Sequence, residues 1–132
     1  MIEKITNIIC AGESVNEEIV FNKTRELKII FARQLIQYFC YEFKVGSYKL
    51  IGEQTGNKDY STVIHSCNVI KNYIETDKIK AKKIKLYREK IKKVIVISEH
   101  VIENIEQLIT RLEKKLTLAK KKLSEYQNIY QN

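Results

Sequence analysis

The sequence has no proline and no tryptophan, only four glycines, two histidines and a single methionine in 132 residues. With no proline, and no glycine after Gly56, the second half has few residues that break helices, which points to an all-α chain. The cysteines number three, Cys10, Cys40 and Cys67. Each sits alone in an apolar periodic stretch, without the paired spacing of a metal site, so they read as reduced core thiols of a cytoplasmic protein. No run reaches eighteen apolar residues, and the first residues carry Glu3 and Lys4 rather than a basic start and a long apolar run, so neither a membrane span nor a secretion signal is expected. Two histidines, His65 and His100, stand outside any nucleophile or zinc motif, and no catalytic constellation is expected. No cofactor or metal is expected either.

Charge is what the sequence has in excess, and it is unevenly placed. Residues 1–76 hold nine basic and nine acidic side chains, so the net +8 lies wholly in 77–132. There it alternates: nine basic against two acidic over 77–93, none against three over 94–110, six against one over 111–122. Such a balance is compatible with polyanion binding and equally with a solvated helical face.

Apolar periodicity sets the elements. Ile2, Ile5, Ile8 and Ile9 keep helical spacing up to Ala11-Gly12, where a glycine stop is expected. Ser14 with Glu17 has the form of a capping box before Ile19, Val20 and Phe21, which predicts a short second helix. A polar break at 22–24 precedes a long stripe from Glu26 to Phe43. Ser47 can cap a short helix reaching Thr55, Gly56-Asn57-Lys58 is a tight turn, and Asp59 is a preferred cap for a helix with Val63, Ile64, Cys67, Ile70 and Ile74 on one face. Two helices joined by a short glycine-containing turn form a helix-turn-helix, although spacing alone also fits a plain helical corner.

Beyond Asp77, positions 84, 87, 91, 94, 98, 101, 105, 108 and 112 alternate by three and four, apolar except Ser98. The phase then slips and resumes at 116, 119, 123, 126 and 130, a stutter. Ile95, Ile102 and Ile109 widen the stripe. One helix of about fifty residues, roughly 80 Å long, and a folded-back hairpin both satisfy this pattern. The domain division follows: a helix-turn-helix unit over 1–76 and a basic helical tail, coiled coil or hairpin, over 77–132. Residues 84–130 are the expected surface for a homo-oligomer or a protein partner.

Ala32-Arg33-Gln34, followed by Leu50-Ile51-Gly52 and Gly56-Asn57-Lys58-Asp59-Tyr60-Ser61-Thr62-Val63-Ile64-His65-Ser66-Cys67, resembles the C-terminal DNA-binding domain of the bacterial replication initiator DnaA. That family opens its long helix with Ala-Arg-Gln and about twenty residues later shows Gly-Gly-(Arg/Lys)-Asp-His-(Thr/Ser)-Thr-Val-(Leu/Ile)-His-Ala. The spacing between the two blocks is kept without a gap. The likeness extends over approximately residues 1–95.

The resemblance implies an all-α helix-turn-helix bundle that binds double-stranded DNA, in replication initiation or its regulation, at the nucleoid. By it, Asp59, Tyr60, Ser61 and Thr62 stand at the edge that enters the major groove, and Lys58 next to them is a further DNA-binding residue. Asp59 would accept from an exocyclic amine, Ser61 and Thr62 would offer hydroxyls, and the Thr62 methyl could pack on a thymine methyl. Arg25 aligns with the family's minor-groove arginine. Arg33, Gln34, Lys44, Ser47, Tyr48, Lys49 and His65 fall where members touch, or lie beside, the phosphate backbone.

The sequence departs from the pattern at Asn57 for the second glycine, Tyr60 for the histidine, Leu27 for a second basic residue and Lys49 for a proline or small residue. The four glycines, 12, 46, 52 and 56, form no phosphate loop of the kind ending in Gly-Lys-Ser/Thr, so no ATPase activity is expected. The competing readings are a helical interaction protein that uses the tail's apolar stripe, and a non-specific DNA binder that uses the tail's lysines.

Overall fold

The computed structural model describes residues 1–131 and contains five helices: α1 (Ile2–Glu13), α2 (Leu27–Glu42), α3 (Tyr48–Gln54), α4 (Tyr60–Thr76) and α5 (Lys78–Gln131). The chain forms two compact units, Met1–Lys92 and a second beginning at Lys93. Among the described residues no helix is long and apolar enough to cross a membrane.

The core of the first unit is assembled from one face of each helix. Ile5 and Ile9 of α1, Leu35, Ile36 and Phe39 of α2, Ile51 of α3 and Val63, Cys67 and Ile70 of α4 are all essentially inaccessible. Apart from the adjacent Leu35 and Ile36, which widen the face of α2, spacing by three, four or seven is what places them on single faces. Each such aliphatic side chain contributes about 1.5–3 kcal/mol on burial. Leu27, expected in the stripe of α2, is instead exposed at that helix's first position.

The helix expected after Ser14 does not form. Ser14 adopts a left-handed conformation (φ 55°) and closes α1, while the Val15 amide donates to the Cys10 carbonyl at 2.9 Å. Residues 16–22 then make successive turns, Ile19 N–H to Asn16 O and Asn22 N–H to Ile19 O, with the Asn16 side chain accepting from the Glu18 amide. Serine acts here as a helix stop rather than a helix start, because α1 runs past Gly12 to Glu13. The Glu13 carboxylate is buried and accepts from Lys83 Nζ at 2.7 Å and from the Tyr87 hydroxyl.

That contact belongs to the docking of the first turns of α5 within the first unit. Ile84, Tyr87 and Ile91 are buried, Arg88 Nε donates to both Glu42 carboxylate oxygens at 3.0 and 3.1 Å, and Arg88 also donates to the Tyr38 hydroxyl at 3.0 Å. Lys80 Nζ lies 3.8 Å from the centroid of the Tyr73 ring, within cation–π range. The sequence pattern that continues from 84 to 130 therefore serves two ends. Positions 84, 87 and 91 are spent inside the first unit and are closed to a partner, and the free stripe starts at Val94.

The three thiols are buried and unpaired with one another. Burial pushes Cys40 up to about 12 and Cys10 up to about 11 from the ordinary 9.0, and raises Cys67 as well. Burial also raises Tyr38, and burial with the hydrogen bond to Glu13 raises Tyr87. All five groups hold their protons to higher pH in the folded state than in the unfolded chain. Their stabilising contribution is complete below about pH 9 and is lost as pH rises, because the unfolded state then releases protons first. Melting temperature followed by circular dichroism is expected to be steady from pH 7 to 8.5 and to fall progressively between pH 9 and 11. Thiol reagents are expected to label the cysteines only over the same range.

Candidate nucleic-acid interface

The turn between α3 and α4 is locked by backbone. The Lys58 amide donates to the Gly52 carbonyl at 2.7 Å, and a Cβ on Gly52 would lie 2.3 Å from the Lys58 carbonyl oxygen. Glycine is needed there for close approach, not for conformation. The next two turn residues do need left-handed backbone, Gly56 at φ 96° and Asn57 at φ 53°, and asparagine is among the few side chains that accept it. Asn57 thus fills the place where the resembled pattern has glycine.

A buried polar chain fixes the helices around this turn. Gln37 of α2 donates through Nε2 to Thr55 Oγ1 at 3.0 Å and accepts through Oε1 from Ser66 Oγ of α4 at 2.5 Å, while Thr55 Oγ1 donates to the Ile51 carbonyl at 2.6 Å. All three side chains are buried. A fully satisfied network of this kind rewards one relative placement of its helices, since any other leaves buried groups unpaired. Sequence reading passed over Gln37, Thr55 and Ser66. Their only signal was polarity on otherwise apolar faces.

Asp59 caps α4 as expected. Its Oδ1 accepts from the Tyr60 amide and its Oδ2 from the Ser61 hydroxyl, both at 2.9 Å. Beyond the cap, Tyr60, Ser61, Thr62 and His65 are exposed, and the same face continues through Asn68 and Asn72. The opposite face carries Val63, Ser66, Cys67 and Ile70 into the core. Helix α4 therefore divides cleanly into a core stripe and a polar stripe whose first turn projects short donors and acceptors.

The remaining sequence-predicted residues, Gln34 apart, fall into three groups. Arg25 is exposed in the extended segment just before α2, Lys44 is exposed in the link before α3, and Lys49 is exposed in the first turn of α3. Ser47 and Lys58 hold the motif itself: Ser47 Oγ accepts from the Leu50 amide at 3.2 Å, and Lys58 supplies the turn hydrogen bond. Arg33 and Tyr48 are engaged within the protein. Arg33 Nε donates to the Val20 carbonyl at 3.0 Å and its terminal nitrogen donates to the Asn22 carbonyl. The Tyr48 ring stacks on Tyr41 with centroids 4.0 Å apart and planes 15° from parallel. Gln34 is half-buried on α2. Tyr41, missed in the sequence because five residues and a helix break separate it from Ser47, supplies the platform that orients Tyr48.

The model of the bacterial dnaA protein helix-turn-helix family matches residues 2–70. Among curated proteins, the chromosomal replication initiator protein DnaA of Bacteroides thetaiotaomicron is 31% identical over 77 residues, covering 58% of this chain and 16% of that protein. The DnaA of Flavobacterium psychrophilum is 32% identical over 77 residues with the same coverage, 58% and 16%. That of Chlorobaculum tepidum is 31% identical over 90 residues, covering 68% of this chain and 18% of that protein. The chain thus spans less than a fifth of the length of these relatives.

Proposed function

Because this chain belongs to the bacterial DnaA helix-turn-helix family, we propose that it binds double-stranded DNA with a sequence preference and acts in replication initiation or its regulation. The observation that carries the reading is the polar first turn of α4, exposed and capped by Asp59, on a helix whose angle is fixed by the Gly52–Lys58 turn and the buried Gln37 chain. A helix N-terminus with short hydroxyl side chains suits the major groove, where each base pair shows a distinct donor and acceptor pattern. Tyr60, Ser61 and Thr62 read base edges there, with Asp59 setting the first turn.

Arg25, exposed at the start of α2, enters the adjacent minor groove, where narrow A·T segments concentrate negative potential. Lys44, Ser47, Tyr48, Lys49, Lys58 and His65 contact phosphates and set the register without reading sequence. Arg33 and Gln34 complete the backbone-contact set, Arg33 through the guanidinium nitrogens that the Val20 and Asn22 carbonyls leave over.

The test is selection of bound duplexes from a random pool, then titration of the chain on the selected duplex and on a shuffled one at fixed salt. A preference of at least about a thousandfold is expected, the low end for specific over non-specific binding. Arg25→Ala is expected to reduce the slope of log affinity against log salt by about one. Equal affinity for both duplexes contradicts sequence preference. The competing assignment of DNA affinity to the tail's lysines is checked by ending the chain after Lys92, the close of the first unit. Sequence preference is expected to survive that cut.

A further inference from the structure

The second unit is a single run of helix whose side chains from Glu99 to Tyr130 are all exposed. Val101 and Leu108 are 48% exposed, and Leu112, Leu116 and Leu123 are 54–56% exposed. A helix with this much unburied aliphatic surface is stable only against another surface.

The spacing of that surface identifies the occupant. Once positions 84, 87 and 91 are buried in the first unit, the free stripe runs from Val94 to Tyr130, with Leu112 at its midpoint. From Leu112 the steps are four, three, four, three and four residues in both directions. The stutter, which in one direction only breaks the phase, thereby makes the pattern read the same from either end. We propose that two copies of this chain pair antiparallel along 94–130 about a two-fold axis at Leu112.

In that register every layer of one copy meets a layer of the other: Leu108 lies opposite Leu116, Val101 opposite Leu123 and Val94 opposite Tyr130. Isologous contact of one patch with itself is the usual form of a two-fold dimer. Charge agrees with the direction. Residues 94–110 carry three acidic and no basic side chains, and 111–131 carry six basic and two acidic, so antiparallel pairing sets a segment of −3 against one of +4. Lys120 falls beside Ile102 of the second copy, where its stem covers the isoleucine and its ammonium reaches Glu99 and Glu106 one turn to either side. Parallel, in-register pairing would instead set acidic against acidic and Lys115 against Lys120.

The area is sufficient. About ten half-exposed apolar side chains on each copy bury roughly 1,800 Å² in total, within the range of stable interfaces at about 1,200–2,000 Å². The two chains enter the paired segment from opposite ends, with their Val94 residues about 54 Å apart at 1.5 Å per residue.

The experiment combines mass and cross-linking on the full chain. Sedimentation equilibrium at about 50 µM is expected to give twice the 15.6 kDa chain mass, and Leu112→Glu, which meets its own copy at the axis, is expected to return it to one. Under mild oxidation, a mixture of Val101→Cys and Leu123→Cys chains is expected to form a covalent dimer, whereas each variant alone does not. A one-chain mass for the unsubstituted protein overturns the proposal. So does cross-linking of Val101→Cys with itself, or a tail that associates only with added duplex DNA or with a different protein. None of these outcomes bears on the base-reading role of α4, which is measured separately.

Discussion

Changing Ser61 and Thr62 together to alanine is expected to weaken binding to the selected duplex about 30- to 100-fold and to leave the shuffled duplex within about twofold. Each base-edge contact discriminates by about 1–3 kcal/mol. Single hydroxyls sit at the low end of that range, so the pair is expected to contribute about 2–3 kcal/mol of specific affinity. The non-specific term comes from phosphate contacts and is untouched. The fold is not at risk, since both residues are exposed and the cap bond from Asp59 to the Tyr60 amide is retained. Ser61 does lose its bond to Asp59 Oδ2, but this is an exposed contact on the surface. The melting temperature is expected to stay within about 2 °C, as for surface substitutions generally. A uniform loss on both duplexes would assign these residues to the backbone instead.

Gly52→Ala is expected to have the largest effect on stability. The added methyl meets a backbone carbonyl, that of Lys58, at 2.3 Å, and backbone cannot rotate aside as a flexible side chain does. Relief requires opening the turn, which also lengthens the 2.7 Å bond from the Lys58 amide. Overpacking against backbone falls at the upper end of the usual range, about 3 kcal/mol, and for a unit of this size that lowers the melting temperature by about 12–24 °C. Specific DNA affinity is expected to fall with it, because the turn aims α4. Gly56→Ala provides the comparison: its cost lies in a φ of 96° and a contact with Phe21 at 2.9 Å, so it strains the motif at another point.

The sequence disclosed the elements whose signals are local. Ser47 and Asp59 announced their caps, the 27–42 stripe announced α2, and Gly56-Asn57 announced the turn. Two misreadings have one physical origin. Ser14 with Glu17 resembled a cap, but whether serine starts or stops a helix depends on the chain before it, and α1 ran on to Glu13 because Lys83 and Tyr87, some seventy residues later, hold that carboxylate. The apolar repeat from 84 to 130 looked uniform, yet its first three members pack within the first unit and the rest do not. Periodicity reports that a face is apolar and is silent about what covers it.

Of the candidate interface residues, those on α4 could be placed on its exposed first turn because cap, turn and register are all short-range, while the role proposed for them came from the family likeness alone. The partners that aim the helix were not legible. Gln37, Thr55 and Ser66 are separated by 18 and 29 residues along the chain, and nothing in a linear pattern distinguishes a buried amide that joins three helices from one facing solvent. Arg33 stood out in the sequence only through family likeness, and its bonds to the Val20 and Asn22 carbonyls show that it ties α2 to the segment before it.

Dimethyl sulfate footprinting of the selected duplex tests the groove assignment most directly, because the reagent marks guanine N7 in the major groove and adenine N3 in the minor groove separately. The bound chain is expected to protect N7 positions over one stretch and N3 positions immediately beside it. Ser61→Ala with Thr62→Ala is expected to release the N7 protection alone, and Arg25→Ala the N3 protection alone. Protection absent from the major groove, or unchanged by the loss of both hydroxyls, would contradict the placement of α4.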